Sequence, residues 1–91
     1  MAKKYATIGL GNFGFYVTRT LFEEGHDVLA VDKDEDKVQK IQPYCSQAIL
    51  GDACQKDLIS TLGLEEVDAV IVSMGGDANA ATLITLYLRE L

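Results

Sequence analysis

Three glycines in six residues constrain this chain more than any other feature: Gly9-Leu10-Gly11-Asn12-Phe13-Gly14. An apolar run, residues 5–10, leads into them. A helical pattern follows over about 12–24, with Val17, Thr18, Leu21 and Phe22 at helical spacing. A chain that enters a glycine turn as a strand and leaves it as a helix gives each glycine a separate task. Gly9 permits the tight turn. Gly11 lets backbone approach a pyrophosphate with no Cβ in the way, and Gly14 lets the helix pack closely on the sheet. The free N–H groups at the helix start then face phosphate, and the helix dipole favours its charge. Asp32 follows the second apolar run, 28–31, and stands 18 residues after Gly14. The acid that binds ribose hydroxyls in such a unit is expected ~20 residues on. A carboxylate there accepts from the 2′- and 3′-OH and repels a 2′-phosphate.

The remaining chain continues the alternation of short strands and helices that marks a parallel sheet with crossover helices. Gly25 is placed to end the first helix in a left-handed conformation. Asp34 caps a second helix whose inner face carries Val38 and Ile41, with Lys37 and Lys40 matching the helix dipole, and Pro43 stops it. A short third strand spans 47–50. Asp52 or the residues after it open a third helix with Leu58, Ile59 and Leu62 inward, and Gly63 closes it. The fourth strand, 69–73, is continuously apolar, as in strands buried on both faces. Gly75 and Gly76 then turn, Asp77 caps, and a fourth helix runs to Leu91. Right-handed crossovers give strand order 3-2-1-4, a Rossmann-type α/β fold with three layers, truncated after the fourth helix. Its ligand crevice lies at the switch point between strands one and four. Two further strand ends point there: Gly51-Asp52-Ala53, suited to the adenine edge although Asp52 equally suits a helix N-cap, and Ser73-Met74-Gly75, small enough for backbone to lie over ribose and phosphates.

The 91 residues suffice for one domain, and 48% hydrophobic content supplies a core. A net charge of −6 argues against nucleic acid or anionic lipid as a partner. No stretch approaches the ~20 apolar residues that span a bilayer. Cys45 and Cys54 form no CxxC, and no signal peptide precedes them, so the protein reads as cytoplasmic with reduced thiols. No nucleophile–base pair and no paired carboxylates stand in a catalytic position. His26 reads as a solvated turn residue. The chemistry is that of holding an adenine nucleotide, not of an enzyme.

The run from Ile8 to Gly14, then Gly25-His26-Asp27-Val28-Leu29-Ala30-Val31-Asp32, Gly51-Asp52-Ala53, Val70-Ile71-Val72-Ser73-Met74-Gly75 and the helix 79–91 together resemble the RCK/KTN domain. These are cytosolic nucleotide-binding regulators of Trk and Ktr potassium uptake and of potassium channels. The resemblance covers nearly the whole chain and implies the N-terminal part of such a domain, residues 1–91 forming one incomplete unit. It further implies NAD or NADH as ligand, with ADP or ATP as alternative. It implies assembly as a homodimer or larger ring on the inner face of the membrane, through a potassium transporter or channel subunit. The candidate nucleotide-binding set is Gly9, Gly11, Asn12, Phe13, Gly14, Asp32, Lys33, Asp52, Ala53, Ser73, Met74 and Gly75. Asn12 stands where ATP-sensing members often carry Arg. The alternative reading is the NAD-binding half of a dehydrogenase whose catalytic domain is absent. The apolar fourth strand, a free edge in this reading, and the broad apolar surface of the fourth helix predict a two-fold dimer.

Overall fold

The computed structural model describes residues 2–74. They form β1 (Lys4–Ile8), α1 (Asn12–Glu23), β2 (Asp27–Asp32), α2 (Glu35–Ile41), β3 (Gln47–Leu50), α3 (Lys56–Thr61) and β4 (Ala69–Val72), with single 3-10 turns at Gln42–Tyr44 and Leu64–Glu66. All strand pairs are parallel and the order is β3-β2-β1-β4, as expected. The expected turn at Gly75, Gly76 and Asp77, and the fourth helix, lie outside the described residues.

Side-chain alternation along the strands divides the core into two layers. Ala6 and Ile8 of β1 pack with Ala53, Ile59 and Leu64 on the α3 face. Ala30 of β2 packs with Leu10, Ile41 and Cys45 on the face covered by α1 and α2, with Phe15 and Tyr44 against them. Burial pushes the Cys45 thiol above its usual range, against a smaller opposing pull from the Gln47 backbone, so it packs as a neutral apolar group. Val70, Ile71 and Val72 are half-buried and Ala69 is exposed, so β4 falls short of the two-sided burial its sequence suggested. Among the described residues β4 has a neighbour on one side only, β1.

Several boundaries moved for local reasons. β1 ends at Ile8 because Gly9 has φ +97°, outside any strand conformation. Gly25 and Gly63 do adopt left-handed backbone, at φ +92° and +67°. Asp34 caps α2 by accepting from the Asp36 N–H at 2.9 Å. Pro43 does not stop the chain's turning outright; it sits in the 3-10 turn that continues from α2, where its missing N–H costs nothing. α3 starts at Lys56, four residues after Asp52, because Asp52 first organises a turn of its own.

His26 is not a solvated turn residue. Its ring meets Tyr5 edge-on, centroids 5.3 Å apart, and its Nδ1 accepts from the Lys3 N–H at 3.0 Å. It fastens the chain before β1 to the turn before β2.

Two hydroxyls, of Thr7 on β1 and Thr18 on α1, are fully buried and have no hydrogen-bond partner. An unpaired buried hydroxyl carries its desolvation cost uncompensated. Thr7→Val keeps the shape and removes that cost. It is expected to raise the unfolding free energy by ~1 kcal/mol, read as a higher urea midpoint at unchanged slope. A lower midpoint would show that the hydroxyl is bonded in solution.

Candidate functional site

The strand register brings the ends of β1, β2, β3 and β4 to one edge of the sheet. Ile8 lies beside Val31 and beside Val72, and Asp32 lies beside Leu50. The segments that follow, at Gly9, Asp32, Gly51 and Ser73, therefore converge, although they are far apart in sequence. Two backbone bonds draw them in: the Gly9 N–H donates to the Val31 carbonyl at 2.9 Å, and the Ser73 N–H to the Ile8 carbonyl at 2.7 Å.

The three glycines occupy different environments. A Cβ at Gly9 would overlap the Ser73 carbonyl oxygen, and φ +97° disfavours a side chain there in any case. A Cβ at Gly14 would overlap the Gly9 carbonyl oxygen and reach the Ser73 side chain. Gly14 thus seats α1 on the glycine turn itself. Gly11 differs: it has ordinary backbone, φ −67° and ψ −169°, and a Cβ built on it meets nothing within 4 Å. Nothing in the fold requires glycine at position 11, yet the position faces open space at the N-terminus of a 12-residue helix. No side chain caps that helix, which leaves the first-turn N–H groups of Asn12, Phe13 and Gly14 without helical acceptors.

Asp32 does more than sequence spacing indicated. One carboxylate oxygen accepts from the Leu10 N–H at 2.7 Å and the other from the Asp34 N–H at 2.8 Å. The acid ties the glycine turn to the end of β2 and starts the turn into α2. A carboxylate has about four acceptor positions, so capacity remains for two ribose hydroxyls. Asp52 accepts from the Cys54 N–H at 2.9 Å, and its carbonyl from the Gln55 N–H at 3.0 Å, fixing the turn that holds Ala53 buried against the core.

A cleft of about 210 Å³ opens over this edge, lined by Gly9, Leu10, Gly11, Asp32, Lys33, Lys37, Ser73 and Met74. A recess of about 20 Å³ adjoins it, sharing Gly9, Asp32, Lys33 and Met74 and adding Asp52 and Ala53. Asn12 lines a separate cavity on the far side of Gly11, together with Lys37 and Lys40. The Phe13 side chain is 57% exposed and lines none of these; only its backbone N–H belongs to the edge. Gly14 also lines none of them. Gly75 lies outside the described residues. Lys37 was missed as a site residue because the sequence reading matched it, with Lys40, to the helix dipole, whereas the last turn of α2 holds only Lys40. The signal available was the spacing of Lys37 and Lys40, which are neighbours on one face of α2. A larger cavity, about 400 Å³, lies elsewhere, at the opposite edge of the sheet around Lys4, Tyr5, Asp27 and Gln47. Its one glycine, Gly63, ends α3, and the start of a long helix does not border it.

A glycine turn with an open helix N-terminus, an acid ending the second strand and a parallel sheet of order 3-2-1-4 define a Rossmann-type domain. More specifically, residues 5–91 match the model of the TrkA-N domain, and the chain belongs to that family. It is 44% identical over all its residues to the Ktr system potassium uptake protein C of Bacillus subtilis, covering 41% of that protein. It is 40% identical over 98% of its length to Ktr system potassium uptake protein A of the same organism, covering 40% of it. The chain thus spans about two fifths of the length of these relatives. Among solved structures, the NAD(P)-binding domain of an exopolyphosphatase-related protein from Archaeoglobus fulgidus superposes with a TM-score of 0.85 at 31% identity, over 97% of this chain and 65% of that one. These relatives are components of potassium uptake systems, and among the described residues no helix is long and apolar enough to cross a membrane.

The glycine environments give a stability test that needs no ligand. Gly9→Ala should lose ~2–4 kcal/mol, from left-handed strain and overlap with backbone. Gly11→Ala should stay within ~0.5 kcal/mol of the parent protein. Asp32→Ala should lose ~1–3 kcal/mol, because two N–H groups lose a charged acceptor. Urea unfolding reads all three, and equal losses at Gly9 and Gly11 would contradict the loop geometry.

Proposed function

We propose that this chain is the nucleotide-binding domain of a regulator of potassium transport. It takes NAD or NADH, with ADP or ATP as alternative, and its ligand state controls a membrane transporter or channel subunit. The observation that carries this reading is Gly11: a glycine the fold does not need, facing open space where a helix presents free N–H groups. A pyrophosphate fits that position, since the backbone there can be approached without a Cβ and the helix start favours negative charge.

The binding roles follow from placement. The N–H groups of Asn12, Phe13 and Gly14 donate to phosphate, Asp32 accepts from the ribose hydroxyls, and Lys33 borders the ribose. Asp52 and Ala53 border the adenine, and Ser73 and Met74 close the β4 side, with Gly75 assigned to the same set from its sequence position alone. Gly9 and Gly14 serve the ligand indirectly, by allowing the turn and seating α1. The potassium uptake role of the relatives favours a regulatory domain over half of a dehydrogenase. We further propose a homodimer or larger ring on the cytoplasmic side of the membrane, so that the nucleotide reaches the transporter through subunit arrangement.

Gly11→Val places a branched side chain in the phosphate position while the fold survives. Calorimetry with NAD, NADH, ADP and ATP should show at least one of them binding the parent protein, and that affinity falling more than ~10-fold in the variant, with the melting temperature kept within a few degrees. A folded variant that binds as the parent does would overturn the site.

A further inference from the structure

The glycine turn opens on two sides. Beside the cleft over Asp32 lies a second cavity of about 200 Å³, between the start of α1 and the flank of α2. Leu10, Gly11 and Lys37 line both, so the two cavities adjoin across the helix N-terminus. The second half adds Asn12, Tyr16 and Lys40. Asp32, Asp52 and Ala53 do not line it.

Its charge is unusual for this chain. The protein carries 14 acids against 8 Lys and Arg, yet two lysines face this cavity. Among the described residues, neither the Lys37 nor the Lys40 side chain makes an ion pair or hydrogen bond. Several acids of the same segment are engaged elsewhere. Asp32 holds Leu10 and Asp34, Asp34 caps Asp36, and Glu35 accepts from Gln39. Two like charges one helical turn apart repel each other and weaken the helix slightly. The helix dipole accounts for Lys40 in the last turn of α2, but not for Lys37 one turn earlier, at the mouth of the cleft. An anion between the two lysines and the open start of α1 would be attracted by all three.

We propose that Lys37 and Lys40 form an anion subsite for a phosphate monoester of the bound nucleotide. This rests on the nucleotide reading above and adds to it the charge that the neutral Asn12 cannot supply. A monoester phosphate, close to two negative charges at neutral pH, matches two ammonium groups better than the singly charged phosphates of a pyrophosphate bridge. Two sources carry such a group: the terminal phosphate of ADP or ATP, and the 2′-phosphate of NADP. The lysines also change the expectation that Asp32 repels a 2′-phosphate, since that carboxylate already accepts two N–H groups and shares its cleft with Lys33 and Lys37.

The test titrates the purified protein with adenosine, ADP, ATP, NAD and NADP by calorimetry at one fixed salt concentration. It compares the parent protein with the double variant Lys37→Gln, Lys40→Gln. Both side chains are exposed, so the melting temperature should hold. The variant should lose roughly 5- to 20-fold in affinity for the nucleotides whose monoester occupies the subsite. Adenosine, which carries no phosphate, should change by less than about twofold, and NAD, whose pyrophosphate meets Lys37 alone, should lose clearly less than the monoester nucleotides. A loss confined to ADP and ATP identifies the terminal phosphate, and one confined to NADP the ribose phosphate. Unchanged affinities throughout, or an equal loss for NAD and adenosine, would overturn the subsite. If Gly11→Val abolishes binding while the lysine variant does not change it, the subsite alone fails. If the parent protein binds none of the five, the nucleotide reading fails with it.

Discussion

Everything at the ligand edge depends on one close backbone approach. Gly9 turns the chain against the Ser73 carbonyl, and Gly14 lets α1 sit on the Gly9 carbonyl in turn. Neither contact leaves room for a Cβ. Together they fix the height of α1 over the sheet, the direction its first N–H groups face, and the distance from β1 to β4. Asp32 locks the same turn from the other side through the Leu10 N–H. A loop held from both sides is preorganised, so little entropy remains to be lost when an anion arrives.

This arrangement also sets the three glycines of one motif apart in what each leaves room for. Gly9 and Gly14 answer to the fold, and only Gly11 answers to what lies outside it. Asp32 has a double dependence. The proposed ribose contact and the loop contacts share one carboxylate, so weakened binding after its removal would mix the two causes. Gly11 separates them, since its backbone is unstrained and its surroundings are open.

Much of the fold was legible because its determinants are local. The glycine turn, the Asp34 cap, the left-handed Gly25 and Gly63, and the alternation of apolar runs each act within a few residues, and they sufficed for strand order 3-2-1-4. What was not legible depends on contacts between distant segments. His26 looked like an exposed turn residue because Tyr5 and Lys3, its partners, are more than twenty positions away. Asp32 showed its spacing but not its bond to Leu10. Lys37 had a sufficient local explanation as a cation in a helix, and only the packing of α2 beside α1 shows that it borders the cleft. The start of α3 stood open between Asp52 and the residues after it, because an aspartate turn and a helix cap use the same residue type, and Asp52 makes the turn.

The central claim is that ligand binds at the glycine edge and not in the larger cavity at the opposite edge of the sheet. Amide chemical shifts, followed by heteronuclear NMR during a titration with ADP or NAD, test it most directly. Saturable shifts centred on Gly11, Asn12, Phe13, Asp32 and Lys33 are the result this account predicts. Shifts centred on Tyr5, Asp27 and Gln47, with the glycine turn unmoved, would contradict it.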